Sequence, residues 1–299
     1  MEIKTNNFPV QELKREDFPT ALAQIPNAPE ALYYRGTLPS FERSWIAMVG
    51  TRRASPNAEE ICQKLVQNLS GTDAVVVSGL AQGIDTFCHS AAIQFRIPTV
   101  AVIAQGIEAE ITGSRRSLAH RILQEGGAIL SEYPGKTASL KFMFPMRNRI
   151  IAGLSQSLTL VESKLHGGGM ISVDYAKDFS KKILAVPGSI LAPHAEGPNF
   201  CIASKIASAI WNTKDFSDLC GAKRLTDHSA TDLPQMGISL SPKAQKLFFE
   251  NAGFTHSLDE LCTSSSLPIS ELLAILTEME IAGIVHSKDG NSFHFSQAE

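Results

Sequence analysis

The chain has little of what marks secreted, metal-binding or membrane proteins. Its 299 residues include only five cysteines, which are scattered and form no CxxC pair, so neither a disulfide framework nor a zinc site is indicated. The first residues lack the apolar stretch of a signal peptide, and no apolar run approaches membrane-spanning length. No P-loop and no Ser-His-Asp set is visible. These absences predict a cytoplasmic protein with reduced thiols and without a metal, a cofactor or a membrane partner.

A basic surplus is also missing. The formal net charge is −3, whereas proteins that bind nucleic acid over a large surface are usually basic. The composition is compatible with one local basic pocket in an otherwise acidic surface. A hydrophobic content of 43% over 299 residues supports a real core and predicts one large domain with a small one beside it.

The most informative segment runs from residue 141 to residue 155. It places the cations Lys141, Arg147 and Arg149 next to Phe142 and Phe144, just before an apolar helical run. Cations neutralise phosphates, and an aromatic face accepts any base, so this mixture favours single-stranded nucleic acid. Cations at a helix N-terminus oppose the helix dipole, which indicates an anionic partner. The alternative is an ordinary helix whose polar first turn happens to carry two arginines.

Two glycine turns precede this segment, and each closes an apolar strand. Backbone N–H groups at strand-to-helix turns bind anions readily. Arginines inside the first turn favour a phosphate contact there, whereas the second could equally be a turn that any α/β protein needs. The first turn contains Gly50, Thr51, Arg52 and Arg53, and the second begins with Ser78 and Gly79.

Several segments together resemble the DNA-processing protein A (DprA/Smf) family. They are residues 49–52, 78–85, 127–134, 144–155, 161–162, 185–188 and 197–199, in the family's order. The match covers about residues 26–210. The resemblance implies a Rossmann-like bacterial protein, without enzymatic activity, that binds single-stranded DNA and helps to load the RecA recombinase onto it in natural transformation. It also implies a homodimer.

Carried over to this sequence, Arg52, Lys141 and Phe144 match the family's DNA-contact positions best. Gly168 lies in a glycine turn where the chain departs from the family pattern but keeps a flexible backbone for anions. Arg147 and Arg149 are predicted either to reach phosphates or to hold Glu132 and Asp85 in place. The full predicted DNA-binding set is Gly50, Thr51, Arg52, Arg53, Ser78, Gly79, Lys141, Phe144, Arg147, Asn148, Arg149 and Gly168.

Four segments are predicted along the chain. Residues 1–40 form a lead-in segment, and residues 41–212 form a Rossmann-like, doubly wound, mainly parallel sheet, because nearly unbroken apolar strands alternate with amphipathic helices. Residues 213–239 are rich in Asp, Thr, Ser and Pro and are interpreted as a linker. Residues 240–299 contain three helices and a hairpin about Gly290, which predicts a winged helix.

The third helix of the predicted winged helix lacks Lys and Arg between residues 270 and 283 and carries three glutamates. Such a helix suits a protein contact or a regulatory role better than DNA reading.

Two other functions remain open. Nucleotide-monophosphate phosphoribohydrolases of the LOG group share a related core, and Gly167-Gly168 with Asp174 is a shortened version of their glycine motif. Glu132 and Glu162 stand at strand ends, as an active-site acid would. A transcription regulator with a nucleotide-sensing core is the third alternative.

Overall fold

The computed structural model describes residues 8–225, 240–251, 254–265, 267–282, 284–287 and 292–295. The chain divides into two compact units after residue 225. Among the described residues, no helix combines the length and the apolar character needed to cross a membrane.

The first unit is built on one sheet with the strand order β1-β2-β6-β5-β4-β3-β7-β8-β9. The strands from β3 to β9 are all parallel, β2 is antiparallel to β6, and β1 is antiparallel to β2. The bounds are β1 Gln11–Lys14, β2 Ala31–Gly36, β3 Ser44–Val49, β4 Ala74–Ser78, β5 Thr99–Ile103, β6 Ala128–Ser131, β7 Ser157–Leu160, β8 Lys182–Ala185 and β9 Ser208–Ala209.

Helices cover both faces of this sheet, as a doubly wound fold requires. Successive strand residues point to opposite faces, so Ala47 and Val49 belong to one core cluster while Ile46 and Met48 belong to another. The predicted Rossmann-like architecture is confirmed. The helices of this unit are α1 Thr20–Ala23, α2 Ala58–Gln67, α3 Ile84–Gln94, α4 Ser114–Gln124, α5 Met143–Leu154, α6 Gly168–Asp178, α7 Glu196–Ala203 and α8 Phe216–Cys220.

The order of the strands creates a switch point at β3. From β3 the chain moves outward through β4, β5 and β6, and it then returns to place β7 on the other side of β3. The crossovers on the two sides of β3 therefore leave in opposite directions, and a crevice opens between the carboxyl ends of β3 and β7. Ligands of open α/β sheets bind in such crevices.

Two segments are more ordered than the sequence predicts. The described part of the lead-in segment, residues 8–40, supplies β1, α1 and β2 to the same unit. The first part of the predicted linker, residues 213–225, is not a linker, because Phe216 is fully buried and Lys223 pairs through its backbone with Asp73. The polar composition of residues 213–225 predicts a linker, but the burial of a single aromatic side chain, Phe216, is enough to anchor a short helix there. The remainder of the predicted linker, 226–239, lies outside the described residues.

The described residues of the second unit form three helices and a small sheet of order β10-β12-β11. Its core includes Phe248, Leu272 and Phe295. This is the predicted winged helix, with one additional short strand, β10, ahead of its second helix; the hairpin turn about Gly290 lies outside the described residues. The bounds are α9 Pro242–Asn251, β10 Thr255–Ser257, α10 Leu258–Ser265, α11 Ile269–Ile281, β11 Val285–Ser287 and β12 Ser292–Phe295.

Candidate nucleic-acid interface

A cavity of about 670 Å³ opens at the carboxyl ends of β3 and β7. We call it the switch-point cavity. Its walls are the turn after β3, the start of α5, the turn after β7 with the start of α6, and part of residues 193–196. Eight of the twelve predicted site residues line it, namely Gly50, Thr51, Arg52, Arg53, Phe144, Arg147, Asn148 and Gly168.

The turns after β3 and β7 are held together by their backbones. The Thr51 N–H donates to the Glu162 carbonyl at 2.7 Å, and the Val161 N–H donates to the Val49 carbonyl at 3.1 Å. A Cβ on Gly50 would lie 2.8 Å from the same Glu162 carbonyl oxygen, so only glycine permits this approach. The Thr51 N–H is therefore used within the protein and does not face an anion.

The carboxylate of Glu162 stabilises the entry to α2. It accepts hydrogen bonds from the Ser55 N–H at 2.9 Å and from the Ser55 hydroxyl at 2.5 Å, and it is buried. His194 Nε2 lies 3.8 Å away. The other candidate acid, Glu132, accepts from Arg149 Nη2 at 2.5 Å. Because both carboxylates are bound within the protein, the phosphoribohydrolase alternative is not favoured.

The N-terminus of α6 opens onto the switch-point cavity. The N-cap residue, Gly167, provides no side-chain cap, and a Cβ on the exposed Gly168 would meet nothing within 4 Å. The first N–H groups of a helix lack partners within the helix and carry the positive end of its dipole. Such an end binds phosphate readily, and the exposed Lys164 stands in the same turn.

Three exposed cations line the cavity: Arg52, Arg53 and Lys164. None of them forms an ion pair with another described residue. The Arg52 guanidinium lies 5.3 Å from the centre of the Phe144 ring, a cation–π distance that holds this charge over the cavity. Lys141 is also exposed but does not line the cavity. The result is a cluster of charge available to an anion.

Arg147 forms part of the cavity wall, but its guanidinium is buried. Its Nη1 donates to the Gly79 carbonyl at 2.6 Å and also to the Val102 carbonyl. A Cβ on Gly79 would lie 2.2 Å from Nη1, which explains the glycine by packing. Burial lowers the pKa of Arg147 to about 10, an effect that the charge of Asp85 opposes. Arg147 therefore ties α5 to the ends of β4 and β5.

The turn after β4 is closed to anions. The Asp85 carboxylate accepts from the Gly79 N–H at 3.1 Å and from the Ala81 N–H at 3.3 Å. Burial raises the pKa of Asp85, while the charge of Arg147 and these hydrogen bonds act in the opposite direction. The buried Ser78 hydroxyl donates to the Met48 carbonyl at 2.6 Å. Ser78 and Gly79 lie outside the cavity lining, as does the buried Arg149, so the structure does not bring these three residues to the site.

Lys164 and His194 also line the cavity, although neither belongs to the set predicted from the sequence. A signal for Lys164 was present, because a cation just after the end of an apolar strand and before a glycine turn repeats the pattern of Arg52. His194 reaches the cavity only through tertiary packing, and its position in the sequence carries no such signal.

Comparison with known proteins identifies the family. The family described as DNA recombination-mediator protein A matches residues 10–221. The chain belongs to this family. Residues 239–291 of this DprA family member match the DprA winged helix domain, in agreement with the fold of the second unit.

Relatives and solved structures agree with this assignment. The chain is 36% identical to DNA processing protein DprA of Streptococcus pneumoniae, over 64% of this chain and 67% of that protein. It is 29% identical to Protein Smf of Escherichia coli, over 95% of this chain and 76% of that protein. The X-ray structure of the S. pneumoniae protein, at 34% identity, aligns with a TM-score of 0.64 over 70% of this chain and 72% of that one.

A structure of DNA processing protein A from Helicobacter pylori, described as giving insight into its single-stranded DNA binding mode, is also similar. It aligns with a TM-score of 0.64 at 25% identity, over 71% of this chain and 95% of that one.

Proposed function

We propose that this DprA family member binds single-stranded DNA in the switch-point cavity and catalyses no reaction on it. The observation that carries the proposal is the meeting of unpaired cations, an open helix N-terminus and an aromatic ring at one crevice. Phosphates and bases are the two chemistries that such a set accepts together. The structure of the similar H. pylori protein is described as giving insight into its single-stranded DNA binding mode. This similarity supports the same ligand here.

Each group has a distinct task in this proposal. Arg52, Arg53 and Lys164 neutralise phosphates within the cavity, and Lys141 does so at its edge. The first N–H groups of α6, beginning at Gly168, donate to one phosphate oxygen. The ring of Phe144 supports a base by stacking, which is tolerant of base identity. Arg147 and Arg149 act indirectly, because their buried guanidinium groups fix the start of α5.

We further propose, from the family resemblance and its description as a recombination mediator, that the bound strand is handed to a RecA recombinase. A homodimer, a role in natural transformation and a cytoplasmic location belong to the same proposal.

The second unit is assigned a protein-contact or regulatory role. Among the described residues α11 offers no Lys or Arg to a phosphate. Its glutamates serve the unit itself: Glu271 pairs with Lys243, and Glu278 accepts from both the N–H and the hydroxyl of Ser241 at the start of α9. A helix so composed gives phosphate no charge to bind.

The salt dependence of oligo-dT binding tests the proposal. With four phosphate contacts, log K plotted against log salt is expected to be linear with a slope of about −3, since each contact on a single strand contributes about −0.7. A slope near zero, or no binding at low salt, contradicts the phosphate site. In a parallel assay, nucleoside monophosphates are expected to release no free base; turnover would instead support the phosphoribohydrolase alternative.

A further inference from the structure

A second cavity, of about 720 Å³, opens beyond the carboxyl end of β5. We call it the α4 cavity, because the first turns of α4 form one wall. Residues of the loop after β5 also line it, including the apolar Ile107 and Ile111, as do residues of the loop that leads from β6 towards α5. No residue assigned to DNA binding so far lies in this lining.

The α4 cavity carries unpaired positive charge. Arg115 of α4 and Lys136 of the loop after β6 both line it, and neither forms an ion pair with another described residue. Arg116 also lines it but lies 3.8 Å from the carboxylate of Glu110. Two unpaired cations and apolar side chains in one lining suit a ligand that combines an anion with a flat apolar group.

One polar atom in the same lining lacks a partner. The ring nitrogen Nδ1 of His120 is buried and makes no hydrogen bond with the described residues. Buried polar atoms are almost always hydrogen-bonded in folded proteins, so this nitrogen is an exception. Because it is closed to solvent, a ligand in the cavity does not reach it, and the case for a ligand rests on the two cations and the apolar residues of the lining.

One loop joins the α4 cavity to the switch-point cavity. Lys136 and Ser139 line the first, and Phe144 lines the second. The five steps along the chain from Ser139 to Phe144 span at most about 18 Å when extended. The exposed Lys141 stands between them. In addition, the Arg147 guanidinium in the wall of the switch-point cavity donates to the carbonyl of Val102 in β5, the strand beyond whose carboxyl end the α4 cavity opens.

We propose that the α4 cavity is a second subsite for the same DNA strand, which crosses from the switch-point cavity over Lys141 and places a phosphate between Arg115 and Lys136. The accompanying base lies over Ile107 and Ile111. This inference rests on the proposed function, because it extends the path of a strand whose binding in the switch-point cavity is itself proposed.

The test compares the double variant Arg115→Ala/Lys136→Ala with a matched control, Arg121→Ala/Lys182→Ala. The control removes the same number of positive charges at the amino ends of the strands, away from the cavity. Arg121 is in the last turn of α4, and Lys182 is the first residue of β8. Both proteins and the wild type are titrated with oligo-dT of about 4 to about 16 nucleotides, which covers the usual site sizes of strand-binding folds.

The expected result depends on length. For the longest strands the double variant loses about tenfold or more in affinity and its salt slope is shallower by about 0.7, because the phosphate held between the two cations is no longer neutralised. The shortest strands and the control variant retain wild-type affinity. The conservative variant Arg115→Lys, which keeps both positive charges, retains the wild-type slope, and the melting temperature is unchanged throughout.

Three outcomes overturn the inference. If the double variant and the control have the same affinity for oligo-dT at every length, no strand binds in the α4 cavity. An equal loss at every length indicates general attraction by charge rather than a subsite. Binding of thymidine monophosphate that depends on Arg115 and Lys136, with no effect on long strands, assigns the cavity to a free nucleotide. In each of these cases the wild type still binds oligo-dT; only its failure to bind removes the proposed function too.

Discussion

Replacing Arg147 with alanine is expected to lower the free energy of unfolding of the first unit by about 3–5 kcal/mol, the usual cost of removing one partner from a buried charged set. The change leaves Asp85 buried without its compensating charge and leaves the Gly79 and Val102 carbonyls without a donor. For a unit of this size the melting temperature should fall by roughly 6–20 °C. Calorimetry or thermal unfolding followed by circular dichroism measures the change.

Two further variants make this prediction specific. Arg121→Ala, which removes an exposed arginine, should change stability by no more than about 0.5 kcal/mol. Adding Asp85→Asn to Arg147→Ala should recover part of the loss, because the second substitution removes the uncompensated charge. If Arg147→Ala is as stable as Arg121→Ala, the guanidinium does not hold the strand ends, and a direct phosphate contact becomes the better explanation for this residue.

Arg52→Ala is expected to weaken the binding of every oligo-dT and to make the salt slope shallower by about 0.7, since one phosphate contact is lost. Arg52 is exposed and forms no ion pair with a described residue, so its removal should leave the melting temperature unchanged. Salt titrations of the wild type, Arg52→Ala and Arg121→Ala decide the point. A slope for Arg52→Ala equal to that of the wild type contradicts the assigned contact.

Phe144→Ala is expected to leave the salt slope almost unchanged while costing about 1–3 kcal/mol of binding free energy, the usual value of a base stacked on an aromatic ring. The ring is only partly buried and also supports the Arg52 guanidinium. A purely structural role predicts something else, namely a large drop in melting temperature with binding lost through unfolding. Measuring the melting temperature and the affinity of the same protein separates the two roles.

A matched comparison is available two residues earlier. Phe142 is 60% exposed and stands next to Lys141, but it does not line the switch-point cavity. Phe142→Ala should therefore bind oligo-dT nearly as well as the wild type. The opposite pattern, with loss at Phe142 and none at Phe144, moves the stacking role out of the cavity and onto the loop.

The sheet could be predicted because its central strands are nearly continuous apolar runs, which only a buried parallel arrangement accommodates. Strands β3 to β8 lie at the six apolar runs of the sequence, which are residues 45–49, 74–78, 98–103, 128–130, 157–161 and 183–186. Strand β9 could not be predicted, because it has only two residues and none of the apolar pattern of the other strands. The helix α8 could not be predicted either, because it lies in a polar segment. Its order depends on the burial of Phe216, which no local sequence pattern indicates.

The site could be predicted only in part, because residues that look alike in sequence differ in burial. In the sequence, Arg52, Arg147 and Arg149 are each a cation near a turn, and each is therefore predicted to contact DNA. In the structure Arg52 is exposed over the cavity, whereas the guanidinium groups of Arg147 and Arg149 are buried and bound by carbonyl and carboxylate oxygens. Gly79 resembles an anion-binding turn in sequence, yet its N–H is taken by Asp85. Such differences depend on partners distant in the chain.

The location of the bound strand is the central claim, and ultraviolet cross-linking of oligo-dT to the full chain, followed by peptide mass spectrometry, tests it most directly. Cross-links are expected in the peptides that contain residues 141–149 and 163–172, which include the cavity wall at Phe144 and the turn at Gly168. Arg52→Ala should reduce their yield, whereas Arg121→Ala should not. Cross-links confined to α11 and the strands of the second unit, with none at the switch-point cavity, would contradict the account.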